Sequence, residues 1–222
     1  MTRIIIIFSL VFSTHLFSQN HSEKSDEMID EMCTDFKSTE ELNDSLRIER
    51  LNEKFIFPYL KQFSDSEREN KIDYLHFRFQ KRCEEFRKFL QKVDPPKGEN
   101  WMSLNEKPKI EISDKEIKNF KSINNFYYHE YAGEKTNVKT NKEYWIETFS
   151  DGTTSKLFYK WIEKNKFELE FIESTNHTRK NFSKKGDQYI YQIISKEDNY
   201  YWVLCQIPGQ PEIMKFKLFI QK

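Results

Sequence analysis

The residues able to do chemistry in this chain are three cysteines, five histidines and a scatter of carboxylates and aromatic rings. No spacing among Cys33, Cys83 and Cys205 resembles a zinc site. Past the first twenty residues the histidines are His21, His76, His129 and His177. None belongs to H-E-x-x-H, and no two have metal-ligand spacing on an expected helix. His76 falls beside an apolar helical stripe, which suits a boundary position. His129 and Glu130 are neighbours on an expected strand, where adjacent side chains point to opposite faces, so they form no dyad by themselves. Glu147, Glu168 and Glu170 are carboxylates of the kind used for general acid–base work. Glu168 and Glu170 share a strand face, but they alternate with Phe167, Leu169 and Phe171, the ordinary solvent face of a half-buried strand. No G-x-S-x-G elbow or phosphate loop occurs, and the whole chain has five glycines. No catalytic residue, metal or cofactor is assigned on this basis.

The aromatic residues are more suggestive. They make up 16% of the chain, with 20 Phe among them, so much of the core must be built from rings. Trp145, Tyr159, Trp161, Tyr200 and Trp202 are the candidate binding residues, able to line an aromatic pocket for a ligand or glycan. The same rings can equally be plain β-core, which is the reading the strand pattern favours. Asn43-Asp44-Ser45, Asn176-His177-Thr178 and Asn181-Phe182-Ser183 match the N-glycosylation sequon, a pattern common by chance.

Two kinds of element must position these residues. From about Ser25 to Val93 the apolar period is helical. Met28, Ile29, Met32, Cys33 and Phe36 form one face. Ser38 and Glu41 make a capping-box pattern for a second helix carrying Leu42, Leu46, Leu51 and Phe55. Pro58 should kink or end it. Ser64 is an N-cap for a third helix, in which Ile72, Leu75, Phe79, Cys83, Phe86, Leu90 and Val93 keep steps of three and four until Pro95 and Pro96. A short helix is possible at Asp114 to Phe120. From Phe126 the period becomes two. Strands are expected over Tyr144–Phe149, Thr154–Trp161, Phe167–Glu173, Gln188–Ser195, Tyr200–Ile207 and Ile213–Ile220. The turns between them are legible, above all Asp151-Gly152. Consecutive strands joined by short turns argue for an antiparallel meander.

The N-terminus reads as a secretory signal peptide. Arg3 is the positive n-region, Ile4 to Phe12 the apolar h-region, and Ser13 to Ser18 a more polar c-region ending in a small residue. A spanning helix needs roughly 20 apolar residues, and Ser13, Thr14 and His15 break this run. Cleavage would leave a mature chain starting near Gln19 or Asn20, secreted or periplasmic, with no membrane span. Net charge is zero over the whole chain. Residues 21–100 hold 15 basic and 19 acidic side chains, and residues 101–222 hold 20 and 17. Neither half has the basic excess of a nucleic-acid binder. In an oxidising compartment two of the three cysteines can pair, leaving one over.

Several residues carry a likeness to a known group. They are Cys33, Cys83 with Phe86, the run Phe120-Lys121-Ser122-Ile123-Asn124-Asn125-Phe126, Trp145-Ile146-Glu147, Lys156 through Lys160-Trp161, and Phe167-Glu168-Leu169. Together they resemble uncharacterised small secreted proteins of the Bacteroidota, in which a helical part precedes a β-domain. The opening glycine of that pattern is missing here, and Thr140 stands where an Arg is expected. The resemblance covers most of the chain past the leader and implies compartment and fold, not activity. It also implies a Cys33–Cys83 disulfide. Both cysteines lie on apolar helix faces and can meet in one interior, leaving Cys205 as a buried thiol beside Tyr201 and Val203.

The expected architecture is α+β: a signal peptide over 1–18, a helical module over 19–94, a linker over 95–109, and over 110–222 an antiparallel β-meander, curled or barrel-like. The leading functional expectation is a non-enzymatic binding or interaction module whose partner is another envelope or secreted component. A hydrolase-like enzyme would need two or more of His129, Glu147, Glu168 and Glu170 to converge. An inhibitor or immunity-type protein would need the acidic residues between Glu23 and Glu53 to share one face.

Overall fold

The computed structural model describes residues 13–95 and 99–221. Residues 1–12, with most of the expected leader, lie outside them. The chain divides into two compact units between Arg87 and Lys88.

In the first unit, α1 (Ser13–Ser38) buries Ile29, Met32 and Phe36, the face that the period marks out. It packs with α2 (Asp44–Leu51) and α4 (Asp65–Arg82), which are joined through a π-helical turn (Asn52–Ile56) and α3 (Phe57–Leu60). Phe36 meets Phe79 edge-on at 5.9 Å between ring centroids. Phe86, from the start of α5 (Glu84–Val93), stacks on Phe79 at 4.3 Å. Asp35 is almost buried and is held by Arg50 and Lys54, with Arg50 Nε 2.8 Å from Oδ2. The Arg50 hydrogen bond, helped by Lys54 and opposed by burial, holds its carboxyl at about 2. The Cys33–Cys83 disulfide ties α1 to the α4–α5 junction with Cα atoms 5.3 Å apart, as expected.

Local expectations for this unit fare unevenly. Ser64 is the N-cap of α4, with its backbone N–H and hydroxyl both donating to Glu67. Ser38 is not the cap of α2. It closes the last turn of α1 by donating to the Asp35 carbonyl at 2.8 Å, and Asn43 caps α2 by accepting from Leu46 N–H at 3.0 Å. That start leaves Leu42 and Leu46 exposed. Pro58 sits in the first turn of α3, where its missing N–H is tolerated. The turn before it is widened to π, with Phe57 N–H reaching the Asn52 carbonyl. The third helix is two helices, because Cys83 adopts an extended conformation (φ −109°, ψ 111°) between α4 and α5. The apolar stripe runs on through the break, so periodicity alone hides it.

The second unit is an antiparallel β-barrel. Its strands are β2 (Asn125–His129), β3 (Lys135–Thr140), β4 (Tyr144–Thr148), β5 (Thr154–Glu163), β6 (Lys166–Ser174), β7 (Gln188–Glu197), β8 (Tyr200–Gln206) and β9 (Ile213–Ile220). Each pairs with the next, and β9 returns to β2 through Phe126↔Ile220 and Tyr127↔Phe219, closing eight strands. The rest of that edge of β9 pairs with β1 (Trp101–Leu104). The expected linker therefore contributes a strand. Its four residues are too few for an alternation to show among the surrounding Pro, Gly and charge, and pairing with β9 decides it. Gly152 takes φ +81° in the β4–β5 turn, the left-handed geometry that Asp-Gly favours.

Alternation sends Phe126, Trp145, Phe167, Leu169, Tyr201, Val203, Phe216 and Leu218 inward, all almost fully buried. At one end α6 (Asp114–Ser122), with a Ser113–Glu116 capping box, buries Ile117 and Phe120 against this core. The Phe120 ring lies 4.9 Å from Phe126 and from Tyr201. The β6–β7 connection runs 13 residues and holds a helix that the sequence does not suggest, α7 (His177–Phe182). Its N-cap is the sequon residue Asn176, which accepts from Arg179 N–H at 3.1 Å.

Candidate functional site

The five aromatic candidates fall on two sides of the barrel wall. Trp145 points inward, 5.7 Å from Phe167 and 6.0 Å from Tyr159, and Tyr159 continues to Trp161 at 6.0 Å. Trp145 is a core ring that also meets Tyr191, and the partly buried Tyr159 and Trp161 pack against the core at Phe167. Tyr200 and Trp202 point outward on β8, 5.6 Å apart. The five do not line one pocket.

The interior has one strongly polar place, at the end opposite α6. Trp145 and Glu147 on the inward face of β4, and Phe149 just past its end, are all nearly buried. Glu147 Oε1 accepts from the Tyr128 hydroxyl at 3.0 Å and from Trp145 Nε1 at 3.2 Å. Arg179 of α7 reaches the same spot. Its Nη2 donates to the Tyr128 hydroxyl at 3.2 Å and to both Glu130 oxygens at 2.9 and 3.0 Å. Its Nε lies 3.9 Å from Glu147 Oε2. Thr136 also donates to Glu130, at 2.9 Å. Burial raises the Glu147 carboxyl above its usual range, against the pull of Arg179, and burial pushes the Tyr128 phenol well up. Through Arg179 the cluster fixes α7 across the barrel end.

Glu147 is among the carboxylates that the sequence marks out and Glu130 appears there only as the neighbour of His129, whereas Tyr128 and Arg179 are not marked. The available signal was parity: a Glu between Trp145 and Phe149 on a strand's inner face needs a partner. The other carboxylate and histidine candidates lie elsewhere. Glu168 and Glu170 border a shallow outer groove with Phe158 and Lys160. His129 faces outward, its Nδ1 3.0 Å from the Gly133 carbonyl. Of the four candidates, Glu168 and Glu170 share the open groove, whereas His129 and Glu147 lie apart from it and from each other. Cys205 is outside any disulfide and on the inner side with Tyr201 and Val203, but it is half-buried, because it lies towards the strand's end rather than mid-barrel.

The outer wall carries a stripe of rings across the barrel's closing seam. Tyr127 of β2 stacks on Phe219 of β9 at 4.9 Å, and Tyr200 follows at 5.3 Å and then Trp202. Lysines lie over these rings: Lys135 at 4.2 Å from Tyr127 and Lys215 at 3.9 Å from Trp202. Trp202 Nε1 donates to Glu197 at 2.8 Å, and the Tyr200 hydroxyl donates to the same carboxylate. Trp202 is covered, packing with Ile194 and Leu204, whereas Tyr127, Phe219 and Tyr200 remain partly exposed. Farther round, Tyr144 stacks on Phe158 at 5.7 Å under Lys156.

Among the described residues the one group of metal-type ligands is Cys33, Cys83 and Glu85, and its two sulfurs are bonded to each other. No described helix is long and apolar enough to cross a membrane. No protein-family model, curated protein or solved structure matches the chain.

Proposed function

We propose that this is an exported, non-enzymatic binding module that engages another envelope or secreted component through the outer wall of its barrel. The observation that carries the reading is the partly exposed stripe Tyr127–Phe219–Tyr200, because a filled barrel offers its wall, not its interior, to a partner. Export is supported by the Arg3 to Ser18 pattern and by the Cys33–Cys83 disulfide, a bond that persists in oxidising compartments. The enzyme alternative is left with Glu168 and Glu170 in an open groove on the outer wall, with neither His129 nor Glu147 beside them. The inhibitor alternative is weakened because Asp26, Asp30 and Asp35 already pair with Arg78, Arg82, Arg50 and Lys54 within their own unit.

The test is affinity capture from the native secreted or periplasmic fraction, comparing the wild-type mature chain with Tyr127→Ser/Tyr200→Ser. A specific component retained by the wild type and lost by the variant is the expected result, with circular dichroism confirming that the variant keeps its β-signal. Equal capture by both proteins, or none by either, contradicts the reading.

A further inference from the structure

The chain holds four Asn-x-Ser/Thr sequons. Asn20-His21-Ser22 falls at the expected cleavage site, and local structure separates the other three. Asn176 caps α7 through Oδ1 and donates through Nδ2 to Thr153 Oγ1 at 3.0 Å. Asn181 donates through Nδ2 to the His177 carbonyl at 3.0 Å, and the hydroxyl of its Ser183 is buried against the Tyr189 phenol. Asn43 differs. It stands where the α1–α2 connection enters α2, with an extended backbone (φ −67°, ψ 158°), and its Oδ1 accepts from Leu46 N–H. Its Nδ2 makes no hydrogen bond among the described residues, nor does the Ser45 hydroxyl, and both side chains are exposed. Beside them Leu42 and Leu46 are 41% and 46% exposed and border a shallow groove with Glu49 and Arg50.

Resting on the export proposed above, we propose that Asn43 is an N-glycan acceptor, modified outside the cytosol from a polyprenyl-pyrophosphate-linked oligosaccharide. The Asn43 Nδ2 attacks the anomeric carbon of the donor sugar. A bond forms between that nitrogen and that carbon, and the bond from the carbon to the pyrophosphate oxygen breaks. Nδ2 gives up one proton, and the lipid pyrophosphate leaves. On a folded chain the transfer needs an amide nitrogen that is within reach and not committed as a donor, with an accessible hydroxyl two residues on. Among the three sequons with described side chains, Asn43 meets both needs, whereas Asn176 and Asn181 have their nitrogens engaged. The cap survives the modification, because Oδ1 remains the acceptor for Leu46 N–H. A glycan is bulky and solubilising, and at this position it screens the two exposed leucines.

Tryptic digestion of the native exported protein releases residues 38–47 as one peptide, cut after Lys37 and Arg47. Electron-transfer fragmentation is expected to place a sugar mass on Asn43. Asn43→Asp keeps a good N-cap, so it should leave the helical circular dichroism unchanged while abolishing the modification. Ser45→Ala should abolish it as well. A bare 38–47 peptide in a processed, exported chain overturns the proposal while export stands. A sugar that survives Asn43→Asp and is lost in Ser45→Ala sits on the hydroxyl and overturns it, as does a glycan confined to Asn20, Asn176 or Asn181. A bare chain beginning at Met1 in the cytosol overturns the proposal and export together.

Discussion

Cys33→Ala is expected to destabilise the helical unit by about 4 kcal/mol, the chain-entropy value for opening a loop of this length. The bridge spans a sequence separation of 50 and joins α1 to the α4–α5 junction, so without it the unfolded unit regains most of its conformational freedom. The bonded Cys83 is fully buried, and α5 begins directly after it with Phe86, which packs on Phe36 and Phe79. Loosening that junction therefore also loosens the aromatic core. All four tryptophans, Trp101, Trp145, Trp161 and Trp202, lie in the barrel unit. Far-ultraviolet ellipticity at the helical minimum reports the helices, and tryptophan fluorescence reports the barrel. Urea titration of the variant should shift the helical transition strongly. An unchanged helical midpoint would show that the disulfide contributes little to this unit.

Arg179→Met should cost about 3 kcal/mol. That is the low end of the range for breaking a buried charge pair, because the Arg179 side chain keeps 30% exposure. The substitution keeps the apolar stem but leaves Glu130 and Glu147 facing each other without their cation. Glu147 is nearly buried, and burial already raises its carboxyl above the unfolded value. A raised carboxyl binds its proton more tightly in the folded state. Its contribution is favourable below the usual carboxylate range and is lost as pH rises through the folded value. Removing Arg179 raises that value further. The stability lost in Arg179→Met should therefore be largest at neutral pH and shrink on acidification. Adding Glu147→Gln should restore part of it, since the amide oxygen still accepts from Tyr128 and Trp145. Denaturant melts of wild type, both single variants and the double variant, at two pH values, decide this. A loss independent of pH and unrelieved by Glu147→Gln would mean that Arg179 acts only through packing.

The meander was readable because strand alternation and turn chemistry agree locally. Phe167, Leu169 and Phe171 fix one face of β6, and Asp151-Gly152 fixes a turn. Closure was less readable, because it rests on two register pairs between β2 and β9, residues far apart in sequence. β1 escaped notice for the same reason, and α7 because six residues carry no clear period. In the helical unit, the expected N-cap Ser64 is the cap of α4, and the structure adds its partner Glu67 three residues on. Asn43 outcompeted Ser38 because Ser38 was already closing α1. The break at Cys83 has no sequence signature at all.

The candidate site shows a similar division. Inward-facing Glu147 was visible by parity, but Glu130 lies in a turn and Arg179 on an unforeseen helix, so their meeting is a product of tertiary structure. Trp145 and Trp161 had the composition of a pocket and proved to be core. Tyr200 and Trp202 gained their place in a stripe only through Phe219 and Tyr127 on neighbouring strands.

The proposed export of this disulfide-clamped chain is tested most directly by intact-mass and N-terminal analysis of the natively expressed protein. The account predicts a chain that begins near Gln19 or Asn20, recovered from the secreted or periplasmic fraction. Its mass should be two hydrogens below the fully reduced value, with Cys33 and Cys83 together in one non-reduced peptide pair. An intact chain beginning at Met1 in the cytosol, with both thiols free, would contradict it.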